Sequence, residues 1–110
     1  MQVLDMPKLG RKARLAQLIR LYEEGLVTDL MDRTLYKLFS AEAADERKAI
    51  ETLRADLDEM EVRFGMESSD FYNRFTRGEM GDDMDYMEWA SLYQMYQRAI
   101  KRLELLTGAE

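Results

Sequence analysis

Carboxylates are the most plentiful reactive groups of this chain, and five of them gather in one short acidic segment. This segment contains Glu79, Asp82, Asp83, Asp85 and Glu88. Carboxylate oxygens could hold a hard cation such as Ca²⁺ or Mg²⁺, but the spacing lacks the alternate acidic positions of an EF-hand loop. The same acids could instead cap and solvate the start of a helix, which the spacing favours. The sequence therefore predicts no metal site.

A pair of these carboxylates could also serve as general acid and base, as in glycoside hydrolysis. That chemistry needs a deep, rigid cleft, which a small set of slender helices rarely builds. The chain has no His and no Cys, so it lacks the usual general base, zinc ligands and thiolate nucleophiles. We find no phosphate-binding glycine loop, nucleophile elbow or HExxH motif. We expect neither an enzyme nor a bound cofactor.

Aromatic side chains flank the acidic segment. Seven of the eleven aromatic residues lie between Phe71 and Leu106. Four of them, Tyr86, Trp89, Tyr93 and Tyr96, follow each other at steps of three or four, so they share one face of a helix. Such a stripe is often core, but Tyr and Trp are also enriched at binding surfaces. Both hypotheses stay open for this stripe.

The net charge of −6 is distributed unevenly. Residues 1–39 carry seven basic and five acidic side chains, while residues 40–110 carry nine basic and seventeen acidic ones. The acidic part would attract a basic protein partner, with steering that salt weakens. Lys8, Arg11, Lys12 and Arg14 could contact the phosphates of DNA, but a solvated helix face is favoured.

The apolar periodicity predicts an all-α fold, because no alternating stretch is long enough for a strand. We expect a flexible tail over residues 1–10 and a single helical domain over residues 11–110. Glycines and polar caps delimit the helices. The predicted helices span residues 11–24, 28–64, 68–77 and 85–107.

The predicted long helix contains no Gly or Pro between Thr28 and Phe64. It would span roughly 37 residues, or about 55 Å. Ser40 could cap a fresh helix, but continuity is favoured because no turn residue supports a break. A heptad pattern predicts an oligomer seam, formed by Ile50, Leu53, Leu57, Met60 and Phe64. The stripe needs an antiparallel neighbour from the same chain or a second copy, which together would form a helical hairpin or bundle.

Three helix starts are predicted from polar side chains. Thr28 offers an N-cap oxygen to the long helix, and Ser68 or Ser69 offers one to the short helix. Asp85 with Glu88 three residues later forms a start similar to a capping box.

No stretch approaches the roughly 18 consecutive apolar residues of a membrane span. The first residues lack the apolar run and cleavage pattern of a signal peptide. We expect a cytoplasmic protein without a membrane partner.

The block from Phe71 to Trp89 resembles a family of short, mostly uncharacterised prokaryotic proteins. The shared residues read FYxxFxxGEMGDDMDYxEW, and the resemblance is strongest over residues 57–105. A glycine-methionine-serine turn typically precedes the block in that family. Here the turn reads Gly65-Met66-Glu67-Ser68-Ser69, with Glu67 where the family often has Ser.

Several members of that family are described as antitoxins of toxin–antitoxin pairs. The resemblance implies a module that neutralises a small basic toxin by covering its RNA-binding surface. The expected partner-binding residues are Asp82, Asp83, Asp85, Tyr86, Glu88, Trp89, Tyr93 and Tyr96. The alternative hypothesis is a homo-oligomeric coiled-coil scaffold whose aromatic block is simply its core.

Overall fold

The computed structural model describes residues 6–109, which form four α-helices and no β-strand. The predicted all-α fold is confirmed. Each observed helix boundary lies within one residue of the predicted one. The helices are α1 (Arg11–Glu23), α2 (Asp29–Phe64), α3 (Ser68–Thr76) and α4 (Met84–Thr107).

Helix α2 is continuous through Ser40 and spans 36 residues. The Thr28 hydroxyl accepts a hydrogen bond from the backbone N–H of Met31 at 3.2 Å, which is the predicted N-cap. Gly65 follows the last helical residue with a φ of 65°, a left-handed conformation that a residue with a Cβ rarely adopts. Thus both ends of α2 form for the reasons that the sequence indicates.

The chain divides into two compact units, one ending at Tyr36 and the other beginning at Lys37. The single domain expected over residues 11–110 stays a prediction. Of the expected tail, residues 6–10 have no regular secondary structure and are exposed, and residues 1–5 lie outside the described range.

The N-terminal unit contains α1 and the first turns of α2. The Tyr22 hydroxyl donates a hydrogen bond of 2.8 Å to the Asp32 carboxylate and links the two helices. This bond raises the pKa of Tyr22, because the neutral phenol is the donor. No residue from 6 to 36 is buried. Residues 6–36, the described part of the N-terminal unit, therefore form no closed core.

In the C-terminal unit, α4 runs antiparallel to the second part of α2, as two ion pairs show. Near the end of α2, Arg63 pairs at 2.7 Å with Asp85 in the first turn of α4. Near the end of α4, Arg102 contacts Glu42 at 2.6 Å and Glu46 at 2.5 Å. The structure therefore contains the expected helical hairpin, with α3 in the connection between its two helices.

The core of the C-terminal unit lies between α2, α3 and α4 and consists of Leu57, Met60, Phe71, Trp89 and Ala90. Of the predicted oligomer seam, Leu53, Leu57 and Met60 are buried within the chain. Ile50 and Phe64 are half-buried, and Phe64 packs on this core. At Leu57 and Met60, α3 and α4 of the same chain supply the apolar neighbours, which is one of the two possibilities that the sequence leaves open. An oligomer contact along this seam stays a prediction.

Candidate functional site

Trp89 is a core residue and has no exposed surface. Its indole stacks on Phe71, with ring centroids 3.9 Å apart and planes 5° from parallel. Phe64 stacks nearby at 5.4 Å. The prediction that Trp89 anchors a partner is therefore corrected. Rings from α2, α3 and α4 meet at this position, so the largest side chain of the stripe is used for packing.

The hydrogen-bond donor of the buried indole is paired with a serine that lies far away in the sequence. Trp89 Nε1–H donates a 2.9 Å hydrogen bond to the Ser68 Oγ, which is 1% exposed as a residue. The prediction that Ser68 is the N-cap of α3 was wrong. The N-cap is Glu67, and its side chain makes no capping hydrogen bond. The Ser68 backbone N–H instead donates a 2.9 Å hydrogen bond to the Glu61 carboxylate. The helix start is thus capped from α2.

The three tyrosines of the stripe are half-buried. Tyr86 packs edge-on against Phe64, with centroids 5.3 Å apart. Tyr93 lies 5.1 Å from the Tyr72 ring, and the Arg54 guanidinium stands 5.4 Å from the Tyr96 ring centroid. These rings combine a packing role with partial exposure.

The predicted acidic residues separate into different roles. Asp83, not Asp85, is the N-cap of α4, and its Oδ1 accepts the Asp85 backbone N–H at 2.8 Å. The predicted cap at Asp85 was therefore wrong by two positions. The Asp85 carboxylate is instead engaged with Arg63. Asp82 and Glu88 are exposed.

A groove between α2 and α4, here called the acidic groove, is lined by three acidic residues. It has a volume of about 280 Å³. Carboxylates of Asp56, Glu59 and Glu88 line it beside the apolar side chains of Met60 and Leu92. Arg63 completes the lining. Glu88 is thus the one member of the predicted partner-binding set that lines this groove.

Asp56 and Glu59 were missed by the sequence interpretation. They lie on α2, about thirty positions before Glu88, and only the antiparallel hairpin brings them close. The sequence does contain a signal for them, because they precede the predicted core position Met60 by four residues and by one residue. Carboxylates beside a buried position lie at the edge of the helix–helix contact.

Tyr93 and Tyr96 belong to a different surface, a depression that Arg54, Asp58 and Glu61 also line. Burial alone would lower the pKa of Arg54, but hydrogen bonds to Glu61, Tyr96 and Asp58 outweigh it and raise this pKa. Burial would likewise raise the pKa of Glu61, but bonds from Ser68 and Arg54 hold it below its ordinary 4.5. Arg54, Asp58 and Glu61 therefore interact with each other on this surface. Because Glu88 lines the acidic groove whereas Tyr93 and Tyr96 line this depression, the predicted partner-binding set is not gathered on one face.

The described residues provide no group of three or more His, Cys, Asp or Glu side chains arranged to hold a metal ion. Between residues 6 and 109, no helix is long and apolar enough to cross a membrane. What the acidic groove offers chemically is negative charge beside apolar surface. This combination suits a cationic side chain with a long aliphatic stem.

No protein-family model matches this sequence, and comparisons with curated proteins and with solved structures also find no match.

Proposed function

We propose that this chain is a protein-binding module that neutralises a small basic toxin through the acidic groove. The groove carries the proposal, because the acidic residues Asp56, Glu59 and Glu88 line it together with the apolar Met60 and Leu92 and outnumber its one basic residue, Arg63. A Lys or Arg side chain of the partner would lay its stem on the apolar lining and its charge among the carboxylates.

Charge complementarity also supports a basic partner. Residues 40–110, which form most of the C-terminal unit, carry seventeen acidic and nine basic side chains. Such an excess speeds encounter with a cationic protein, and the acceleration falls as salt rises. The proposed interaction should therefore weaken with ionic strength mainly through a slower association rate.

The resemblance of the block from Phe71 to Trp89 to proteins described as antitoxins supplies the biological role in this proposal. A toxin that acts on RNA needs a cationic surface, and an acidic module seated on that surface excludes the substrate. The proposal places this neutralisation in the cytoplasm. It assigns recognition to the acidic groove and assigns Trp89 to the fold that positions Glu88.

Co-expression with the protein encoded by the adjacent reading frame tests the proposal. We expect that protein to arrest growth alone, to be neutralised by this chain and to co-purify with it. If it is harmless alone, or the two proteins do not co-purify, the proposal is wrong.

A pair of matched double variants tests the acidic groove itself. Glu59→Lys with Glu88→Lys reverses two charges of the groove, and should weaken binding at least about tenfold and abolish neutralisation. Asp45→Lys with Glu51→Lys makes the same charge change at exposed α2 positions outside the groove. Equal losses in both variants would show that only net charge matters. Far-ultraviolet circular dichroism checks that both remain helical.

The alternative hypothesis, a coiled-coil scaffold built on the seam from Ile50 to Phe64, gains less from the structure. Leu53, Leu57 and Met60 are buried within the chain, so they are not available to a second copy in this conformation.

A further inference from the structure

Arg63 is the basic residue in the lining of the acidic groove, yet its charge is engaged by a carboxylate outside that lining. Arg63 Nη2 donates a 2.7 Å hydrogen bond to Asp85 Oδ2 in the first turn of α4. The guanidinium carbon also stands 4.9 Å from the centroid of the Phe64 ring. Within residues 6–109, neither Glu59 nor Glu88 of the groove forms an ion pair.

Glu59 is an alternative partner for the same guanidinium, because it lies four residues before Arg63 on α2. An acidic residue four positions before a basic one is the more stabilising order for an ion pair on a helix surface. The chain forms such a pair even in the less stabilising order, since Arg54 contacts Asp58 at 2.9 Å. Glu59 and Arg63 have the better order and do not pair. We infer that Asp85 competes successfully with Glu59 for Arg63.

The start of α4 holds Asp85 in place for this competition. The N-cap Asp83 accepts the Asp85 backbone N–H at 2.8 Å through its Oδ1. A carboxylate in the first turn also lies at the positive end of the helix dipole. The side chains of Arg63 and Asp85 are 57% and 40% exposed, and ion pairs this exposed are weak. Loss of Asp85 is therefore enough to redirect Arg63 to another carboxylate.

We propose that Asp85 is a positioning residue of the acidic groove, which keeps Glu59 available to the partner by engaging Arg63. Without Asp85, Arg63 pairs with Glu59 and competes with the cationic side chain of the partner for this carboxylate. Asp85 thus acts on recognition through Arg63. This inference rests on the proposed function, because an available carboxylate matters only if the groove receives a cation.

Crystal structures of the full-length wild-type chain and of Asp85→Ala test the positioning without any partner. In the wild-type chain, the Arg63 guanidinium should pair with Asp85. In Asp85→Ala it should lie within hydrogen-bond distance of the Glu59 carboxylate. If it stays away from Glu59 in this variant, the proposal is overturned, whatever the partner is.

Affinity for the protein encoded by the adjacent reading frame tests the consequence for recognition. Asp85→Ala should weaken binding about three- to fivefold, the range expected when an exposed ion pair competes. The control is Asp70→Ala, which removes the same charge from the first turn of α3, at an exposed position outside the groove lining. This control should lose less than about 1.5-fold, because salt screens a distant exposed charge. Equal losses in the two variants would overturn the proposal.

A double variant separates positioning from a merely structural role of Asp85. Arg63→Gln added to Asp85→Ala removes the competing cation and should restore the wild-type affinity, although the link between α2 and α4 is still absent. Arg47→Gln added to Asp85→Ala makes the same change of charge at an exposed α2 position outside the groove lining, and should restore less. If both additions restore binding equally, or neither does, Asp85 does not act through Arg63.

These experiments distinguish failure of this proposal from failure of the proposed function. If the wild-type chain does not bind the adjacent protein, the proposed function is wrong and Asp85 has no role in recognition. If the wild-type chain binds and Arg63→Gln fails to rescue Asp85→Ala, the positioning role alone is wrong. Binding by the wild-type chain together with selective rescue by Arg63→Gln is the result that we expect.

Discussion

The two units show the same kind of apolar periodicity with opposite outcomes. In the C-terminal unit, the stripe of α4 meets rings from two other helices and Trp89 is completely enclosed. In the N-terminal unit, the stripe of α1 meets too little apolar surface, and Ile19 is 48% exposed. Periodicity shows that a face is apolar; whether the chain itself covers that face depends on the neighbours that its topology supplies.

In the C-terminal unit, the enclosed core limits which side chains remain accessible to a partner. Because Trp89 and Phe71 fill the core, the proposed recognition is assigned to groups at the edge of the hairpin, such as Glu59 and Glu88. In the other unit, the apolar face of α1 stays exposed to solvent at Leu15, Ile19 and Tyr22. The contrast between a closed core and an open stripe can be tested by substitution in each unit.

The largest effect should come from truncating the most enclosed ring. Trp89→Ala removes the stack on Phe71 and leaves a cavity, so the free energy of unfolding should fall by about 3–5 kcal/mol. Ile19→Ala, in the N-terminal unit, should change it by less than about 1 kcal/mol in dilute solution. Urea unfolding measures both. Comparable losses in the two variants would contradict the contrast between the units.

A smaller effect is expected from the buried hydroxyl. Ser68→Ala leaves the indole N–H of Trp89 buried without an acceptor, at a cost of about 1–3 kcal/mol. Ser69→Ala, at the exposed neighbouring position, is the matched control and should be nearly neutral. Denaturant unfolding distinguishes them. If both serines prove equally tolerant, the Trp89 bond to Ser68 does not support the core.

The smallest effect concerns Glu61 and depends on pH. Since folding lowers the pKa of Glu61 below 4.5, its contribution is present above that pH and is lost as pH falls through the folded pKa. Glu61→Gln should lower stability at neutral pH by about 1–2 kcal/mol and less in acid. Thermal unfolding across pH measures this, with Glu51→Gln as the exposed control. A constant deficit at all pH values would contradict it.

Much of the fold could be predicted because its signals are local. The Thr28 cap, the uninterrupted run through Ser40 and the glycine after Phe64 each depend on a few neighbouring residues. Gly108 likewise ends α4 in a left-handed conformation. Such signals need no knowledge of tertiary contacts.

The residues whose roles were predicted wrongly owe those roles to contacts between segments that lie far apart in the sequence. Ser68 could serve equally well as an N-cap or as a buried acceptor until the position of Trp89 is known. Asp83 and Asp85 are both plausible caps by type, and Arg63 across the hairpin engages the second.

The sequence left the neighbour of the predicted oligomer seam open for a related reason. The heptad pattern of α2 specifies an apolar face, and α3 and α4 of the same chain cover it at Leu57 and Met60. Asp56 and Glu59 joined the site only because the antiparallel hairpin brings Glu88 beside them.

The contrast between the units is tested most directly by amide hydrogen exchange of the full chain at several protein concentrations. Amides of α4 around Trp89 should exchange only through global unfolding, with protection that does not depend on concentration. Amides of α1 around Ile19 should exchange much faster, because α1 has no buried residue. If α1 is as protected as α4 at the lowest concentration, the N-terminal unit is stable by itself and the central claim is wrong.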